Sequence, residues 1–287
     1  MVKNPEPVLS PFTPQVRSGI SRLSVISSML GGVLIGAVAC STQNAVPPAI
    51  AATSDNDILN FALNLEYLEA EFYSMAVTGK TIEAQGQAVN GTGTAGGTTG
   101  GAKVNFTDAT TGQVAAEIMK DELEHVAFLR AALGSAAIAK PAINLDGLGS
   151  LTTPTTDAMQ ATFLVLARAF EDTGVSAYGG AAPLITSKTI LGYAAQILAV
   201  EAYHAGAIRL LVAQQNVPTS PPGALDNQDV LPPPTGTQYF TTYQTGGMAP
   251  ATGSGSAQAG LAIVRDTTGV LNIVKPFFPS GLNGTIH

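Results

Sequence analysis

Four long stretches of the chain place apolar residues at helical spacing. The first begins at "TSDND", where Ser54 and Asp57 have the pattern of an N-terminal cap, and it continues to a terminating glycine, Gly79. The other three span about 108–133, 156–178, and from 183 or 187 to 215. The connection 135–154 contains prolines and glycines and is long enough for a crossover. The pattern therefore predicts an all-α fold, a four-helix bundle with one long crossover.

Two further segments depart from this spacing. Residues 84–103 contain seven glycines and no periodicity, which predicts a flexible Gly/Thr insertion without regular structure. After residue 216 the chain is rich in Pro, Gly and Thr, which predicts an arm. Helical spacing returns over 258–277, which predicts a short fifth helix.

The predicted domains are an N-terminal segment 1–52, a bundle 53–216, and a C-terminal arm with a short helix 217–287.

The N-terminal segment has the pattern of an export signal. Basic residues precede an uncharged apolar run at 23–39, which has the length of a signal-peptide core and is at the lower limit for a membrane span. Cys40 follows "AVA", as at a bacterial lipoprotein acylation site, and "AIAA" at 49–52 resembles a signal-peptidase site. We expect export to the periplasm or cell envelope. Cleavage, lipidation of Cys40 and retention as a membrane tether remain alternatives.

Composition narrows the classes of function. The net charge is −7 and the basic residues are scattered, which argues against nucleic acid as a partner, since phosphate binding needs clustered Lys and Arg. The single cysteine gives no disulfide framework. The sequence also lacks His-Glu-x-x-His and a Ser-His-Asp pattern, so zinc hydrolysis and serine-type catalysis are poorly supported.

Both internal histidines lie three residues after a glutamate. Glu122 and His125 occur in "KDELEHVAFLR", and Glu201 and His204 occur in "AVEAYHAGAIR". Three residues is about one helical turn, so each pair shares a helix face. With only ten glutamates in the chain, composition alone would place both pairs about once in 800 chains. The repeated step therefore indicates a shared chemical role.

The first and third predicted helices carry their own repeat. Glu66 is followed seven residues later by Tyr73, and Glu171 is followed seven residues later by Tyr178. Seven residues is close to two helical turns, so each glutamate shares a face with its tyrosine. The chain thus consists of two related helix pairs, each supplying one glutamate and one Glu-x-x-His step.

Four carboxylates in an apolar core require compensating charge, because desolvation raises their pKa values. Two divalent cations would balance them. Glu122 and Glu201 can bridge two ions, while His125 and His204 supply one imidazole to each. Such inward-facing sets are used by dimetal carboxylate bundles. Glu69, one turn after the first-helix glutamate, is a reserve ligand.

Each of these residues also has a simpler interpretation. Glu122 and Glu201 could be solvated residues on helix surfaces, and Glu66 could lie outside the bundle. Tyr73 and Tyr178 are either core aromatics with hydrogen-bonded hydroxyls or redox residues next to the site.

The motifs resemble those of a known superfamily. "NLEYLEAEFY" (64–73) resembles the first-helix signature of ferritins, and "DELEH" (121–125) resembles their second-helix acidic run before the histidine. The fourth helix keeps Glu-x-x-His and is closer to rubrerythrins and bacterioferritins. The resemblance implies a site for two Fe or Mn ions per chain whose six ligands are Glu66, Glu122, His125, Glu171, Glu201 and His204.

The arm and tail narrow this resemblance. The segment 260–284, "GLAIVRDTTGVLNIV…FFPSGLNG", is similar to the tail of exported ferritin-like proteins, which include plant desiccation-related proteins and many bacterial envelope proteins. The resemblance covers about residues 54–284. It implies a ferritin-like four-helix bundle with one long crossover, a Pro/Gly-rich arm and a short fifth helix.

The resemblance implies two alternative functions. The first is an oxidoreductase of ferroxidase, peroxidase or manganese-catalase type that acts on metal ions with O2 or peroxide in stress protection. The second is a non-catalytic stress or desiccation-related envelope protein in which the site is structural or vestigial. The motifs indicate the fold and a metal site without selecting the reaction. They also leave open whether the chain forms a homodimer.

Overall fold

The computed structural model of the chain describes residues 53–147, 155–217, 262 and 264–286. Its α-helices are α1 (Asp55–Thr78), α2 (Ala109–Leu133), α3 (Thr156–Ala181), α4 (Lys188–Gln214) and the short α5 (Thr267–Val274). The prediction of an all-α fold with four long helices and a fifth short one is confirmed. The predicted export segment, Cys40 and most of the Pro-rich arm lie outside the described residues. Within the described part, no helix combines the length and apolar character needed to cross a membrane.

Local signals set most of the helix boundaries. Ser54 and Asp57 form a complete capping box at the start of α1. Gly79 ends that helix in the left-handed conformation, with φ of 73°. Asp108 caps α2 through the backbone N–H of Thr111 at 2.7 Å.

The end of α3 differs from the prediction. "GGAAP" was predicted to stop the helix at Tyr178, but α3 continues to Ala181. A Cβ atom on Gly180 would lie 1.9 Å from the carbonyl oxygen of Arg265. The glycines therefore stay helical and allow the chain before α5 to pack closely, and the helix ends just before Pro183.

The long helices pack in pairs, α1 with α2 and α3 with α4, around an apolar core. Phe72 of α1 stacks on Phe163 of α3 with ring centroids 5.3 Å apart, which joins the two pairs. Phe277, just after α5, meets Phe170 at 4.9 Å. The C-terminal helix is thereby part of the same core.

The glycine-rich segment 84–103 has defined structure, which corrects the prediction of an insertion without it. Its strand β1 (Thr98–Thr99) pairs in parallel with β2 (Ile143–Asn144) of the crossover. A Cβ atom on Gly96 would lie 2.2 Å from the backbone nitrogen of Ala142. Several of these glycines are therefore needed for close backbone contact, and composition alone does not distinguish that role from flexibility.

A buried ion pair fastens this segment to α1. Lys140 is 1% exposed, and its ammonium group donates to Glu71 of α1 and to Thr98 at 2.7 Å. It also forms an ion pair with Glu83 at 2.8 Å. The ammonium of Lys140 and the carboxylate of Glu71 neutralise one another where water does not reach them, since both side chains are at most 1% exposed.

The C-terminal tail is tied to the bundle by amide hydrogen bonds. Asn64 of α1 donates to the carbonyl of Asn283 at 3.0 Å, and its side-chain oxygen accepts from the Asn283 N–H at 3.1 Å. The Asn283 side chain donates to the carbonyls of Thr94 and Ala139. The tail thus links α1, the glycine-rich segment and the crossover.

Candidate metal centre

The six residues assigned as ligands by resemblance come together between the four long helices. Helices α1 and α3 each contribute one glutamate, and α2 and α4 each contribute a Glu-x-x-His pair. The four glutamates are 0% exposed, and the two histidines are 8% and 5% exposed. The residues of this cluster are Glu66, Glu122, His125, Glu171, Glu201 and His204. The interpretation of any of these glutamates as a solvated surface residue does not fit this burial.

The cluster consists of two overlapping groups. In the first, one side-chain donor atom from each of Glu66, Glu122, His125 and Glu201 lies within 4.8 Å of the others. The Nδ1 atom of His125 lies 3.2 Å from an oxygen of Glu66, 3.2 Å from one of Glu122 and 3.4 Å from one of Glu201.

The second group is the counterpart of the first in the other helix pair. It contains Glu122, Glu171, Glu201 and His204, again within 4.8 Å of one another. The Nδ1 atom of His204 lies 3.0 Å from Glu122 and 3.3 Å from Glu171. Glu122 and Glu201 belong to both groups, which is the arrangement expected of bridging carboxylates.

Polar atoms of the cluster lack hydrogen-bond partners within the described structure. They are Oε1 of Glu122, Oε2 of Glu171, both carboxylate oxygens of Glu201 and Nδ1 of His204. The short contact between His204 and Glu122 does not have hydrogen-bond geometry. Buried polar atoms without partners are costly, and a cation among them would remove that cost. Oxygen and imidazole donors without sulfur fit iron and manganese.

Burial sets the charge state of the metal-free cluster. It raises the pKa of Glu66, and it raises the pKa values of Glu69 and Glu201 well above the ordinary range, further increased by neighbouring carboxylates. For Glu122, burial is outweighed by its short contacts with the imidazole groups of His125 and His204, so its pKa is lowered. The carboxylates therefore compete for charge, and some keep their protons when no cation is present.

For the two histidines, burial and the neighbouring carboxylates act on the pKa in opposite directions. Burial alone would lower the pKa of His204, but its contacts with Glu122 and Glu171 raise that pKa to about 12. The same balance, with Glu66, Glu122 and Glu201 as partners, raises the pKa of His125. In the metal-free protein the imidazolium groups compensate part of the carboxylate charge. Metal binding must displace these protons.

The two tyrosines bond across the bundle. The hydroxyl of Tyr73 on α1 donates to Glu171 of α3, and the hydroxyl of Tyr178 on α3 donates to Glu66 of α1 at 2.5 Å. Burial and these carboxylates raise both tyrosine pKa values well above the ordinary range. Each tyrosine holds a glutamate of the other helix pair, and its own redox role stays a prediction.

The reserve ligand Glu69 is buried but belongs to neither of the two groups found among the described residues. A Cβ atom added to Gly174 of α3 would lie 2.3 Å from Oε2 of Glu201 and 3.3 Å from Oε1 of Glu69. Gly174 therefore makes room for both carboxylates. Glu69 is a fifth buried carboxyl group next to the cluster.

Sequence reasoning missed Asp121 as a site residue. Its carboxylate lies 3.0 Å from Nε2 of His204, on the side of the ring away from the other glutamates. This contact fixes the ring so that Nδ1 faces the cluster. The residue directly before Glu201 is Val200, so the fourth helix offers no matching carboxylate. The sequence shows an acidic residue next to Glu122, but it does not show that this residue contacts His204 on another helix.

Comparison with known protein families places these residues in context. A family model described as a ferritin-like domain matches residues 54–214, more than half of the chain, and this range contains α1 to α4 and the whole cluster. A search among curated proteins found no match.

Proposed function

Because the chain belongs to the ferritin-like domain family, we propose that its buried cluster binds two iron or manganese ions and supports oxidoreductase chemistry with dioxygen or peroxide. The observation that supports this proposal is the pair of overlapping groups that share Glu122 and Glu201. Their unpaired buried oxygens and imidazole nitrogen are the donors that two cations would need.

Each side chain has a distinct task in this proposal. Glu66 and His125 would hold one ion, Glu171 and His204 would hold the other, and Glu122 and Glu201, which belong to both groups, would be shared between the two ions. Bound iron or manganese would supply the change of oxidation state that reactions of dioxygen or peroxide require.

The surrounding residues prepare the site before any ion binds. The tyrosine hydroxyls orient the carboxylates of Glu66 and Glu171 across the bundle, and Asp121 orients His204. Complete burial of the carboxylates excludes bulk water, which strengthens every electrostatic interaction inside.

One observation supports the alternative that the ions only hold the bundle together. All four glutamates are 0% exposed, and such burial suits a structural centre as well as a reactive one. In this alternative the ions bind at the same residues and stabilise the fold without turnover.

Elemental analysis of the purified protein after growth with iron and with manganese tests metal binding. We expect about two ions per chain, lost in the double variant His125→Ala/His204→Ala and retained in Glu124→Gln, which alters an exposed glutamate of α2. Absence of metal after anaerobic reconstitution of the wild-type protein would contradict the proposal. The consumption of dioxygen or peroxide by the metal-loaded protein is then measured. Consumption supports a reactive centre, and no consumption supports a structural one.

We also propose export to the periplasm or cell envelope and a role in stress protection. The support is the signal-like pattern up to Cys40 and the resemblance of the tail to exported desiccation-related proteins. Cell fractionation with mass measurement of the mature N-terminus tests this, with Cys40→Ser as the variant that removes acylation but leaves export. An uncleaved protein found in the cytoplasm would contradict it.

A further inference from the structure

A surface pocket of about 240 Å³ lies where α1 begins, α3 ends and α5 starts. Its walls are mostly apolar and include Phe61, Ala181 and Val270. Two charged residues, Arg265 and Asp266, also line it.

Both charged side chains already have protein partners. The guanidinium of Arg265 donates to the hydroxyl of Ser176 at 2.7 Å, and the carboxylate of Asp266 accepts from the N–H of Gly269 at 2.8 Å. The pocket therefore offers mainly apolar surface to a ligand.

A second, narrower cavity of about 30 Å³ adjoins this pocket. The two share Ile58, Phe61, Ala177 and Ala181 as lining residues. This inner cavity is lined by residues of α1, α3 and α4 and by Ile185, most of them buried, and Tyr178 carries the single polar side-chain atom of its lining. That hydroxyl is bonded to Glu66 of the cluster at 2.5 Å.

We propose that the two cavities form a binding site and an access route for small apolar molecules. The outer pocket takes a molecule up to about the size of benzene, and the inner cavity passes one of diatomic size to the Tyr178 side of the cluster. Binding in the cavities is independent of metal. Delivery of dioxygen along them rests on the function proposed above.

The chemistry of the walls selects the class of ligand. A dry apolar cavity of about 150 Å³ binds benzene or xenon, so the outer pocket is large enough for either. Ordered water needs two to four polar partners, which the inner cavity does not offer. An apolar diatomic gains dispersion contacts there and loses no hydrogen bonds, whereas peroxide would lose its hydration. The route therefore favours dioxygen over peroxide.

Xenon pressurisation of crystals of the metal-free full-length protein tests binding. We expect xenon density in both cavities of the wild type. The variant Ala181→Leu fills their junction at the end of α3 and should lose the inner xenon, and Ala177→Leu repeats this test one turn earlier. The control Ala202→Leu makes the same change on the exposed face of α4 and should keep both xenon sites. A thermal melt of each variant establishes that it is folded.

Absence of xenon from the inner cavity of the wild type would overturn the route. So would inner xenon that persists unchanged in both filled variants. Because the crystals contain no metal, these results do not depend on the proposed metal centre. A protein that takes xenon but no metal would retain the binding site and lose the proposed function.

Delivery is tested on the reduced, metal-loaded protein by following its oxidation optically. We expect Ala181→Leu to slow oxidation by dioxygen and to leave oxidation by peroxide unchanged, with Ala202→Leu equal to wild type for both. Equal dioxygen rates in the filled variant and the wild type would overturn delivery, as would an equal slowing with both oxidants.

Discussion

Replacing Glu201 by glutamine should make the stability of the metal-free protein less dependent on pH, and it should weaken metal binding. Glu201 is fully buried, and neither of its carboxylate oxygens has a hydrogen-bond partner in the described structure. Burial, and then the charge of Glu122, raises its pKa well above the ordinary range. The folded metal-free protein therefore keeps a proton on Glu201 that the unfolded chain releases.

The sign and size of the effect follow from proton linkage. In the unfolded chain the side chain of a glutamate has a pKa of about 4.3. Above that pH folding takes up a proton, so the free energy of unfolding falls by up to about 1.4 kcal/mol per pH unit until the folded pKa is passed. Glutamine does not titrate, so Glu201→Gln removes this slope. Its unpaired amide adds a cost of about 1–3 kcal/mol that does not vary with pH.

Urea unfolding at several pH values between 4 and 7, with chelator present, measures how the free energy of unfolding changes with pH. The same series with added Mn²⁺ measures metal binding. A metal at a hundred times its Kd should stabilise the wild type by about 2.7 kcal/mol and the variant much less. Glu124→Gln is the control, because it makes the same chemical change at an exposed position of α2.

Parallel pH profiles for wild type and Glu201→Gln would refute the claim that this carboxyl is protonated in the metal-free core. Equal stabilisation of both proteins by Mn²⁺ would refute its role as a shared ligand. The two results are separate, since the first is measured without metal and the second is the stabilisation by Mn²⁺ compared between the two proteins at the same pH.

Three further changes probe the surroundings of the cluster. Asp121→Asn should weaken one of the two metal positions by about 10- to 100-fold, because His204 loses its orienting carboxylate, and titration should then show two unequal sites. Lys140→Met should lower the free energy of unfolding by about 3–5 kcal/mol, because it leaves Glu71 buried without its cation, and a loss below about 1 kcal/mol in urea unfolding would contradict the network. Gly174→Ala should reduce metal content with α-helical circular dichroism unchanged, because its Cβ would lie 2.3 Å from a cluster oxygen.

The sequence by itself determined the fold class, the helix ends with clear caps and the set of residues that the cluster brings together. These features are local or periodic. Each can be recognised within one or two helical turns of sequence. Examples are the capping box at Ser54, the glycine at position 79 and the glutamate three residues before His125. Repetition of the Glu-x-x-His step then indicated that distant helices serve one centre.

Only the tertiary structure decided which residues meet across the bundle. Tyr73 bonds Glu171, 98 positions later, and Lys140 bonds Glu71, 69 positions earlier. Such pairs depend on how helices pack and carry no periodic signal. The role of several glycines also could not be predicted from the sequence alone. In 84–103 and at Gly180 they allow backbones to touch, yet their composition is also that of a flexible loop or a helix end. Because glycine has no side chain, the sequence does not show whether it serves a flexible loop or a close backbone contact. Only the position of the neighbouring segment in the folded structure distinguishes the two.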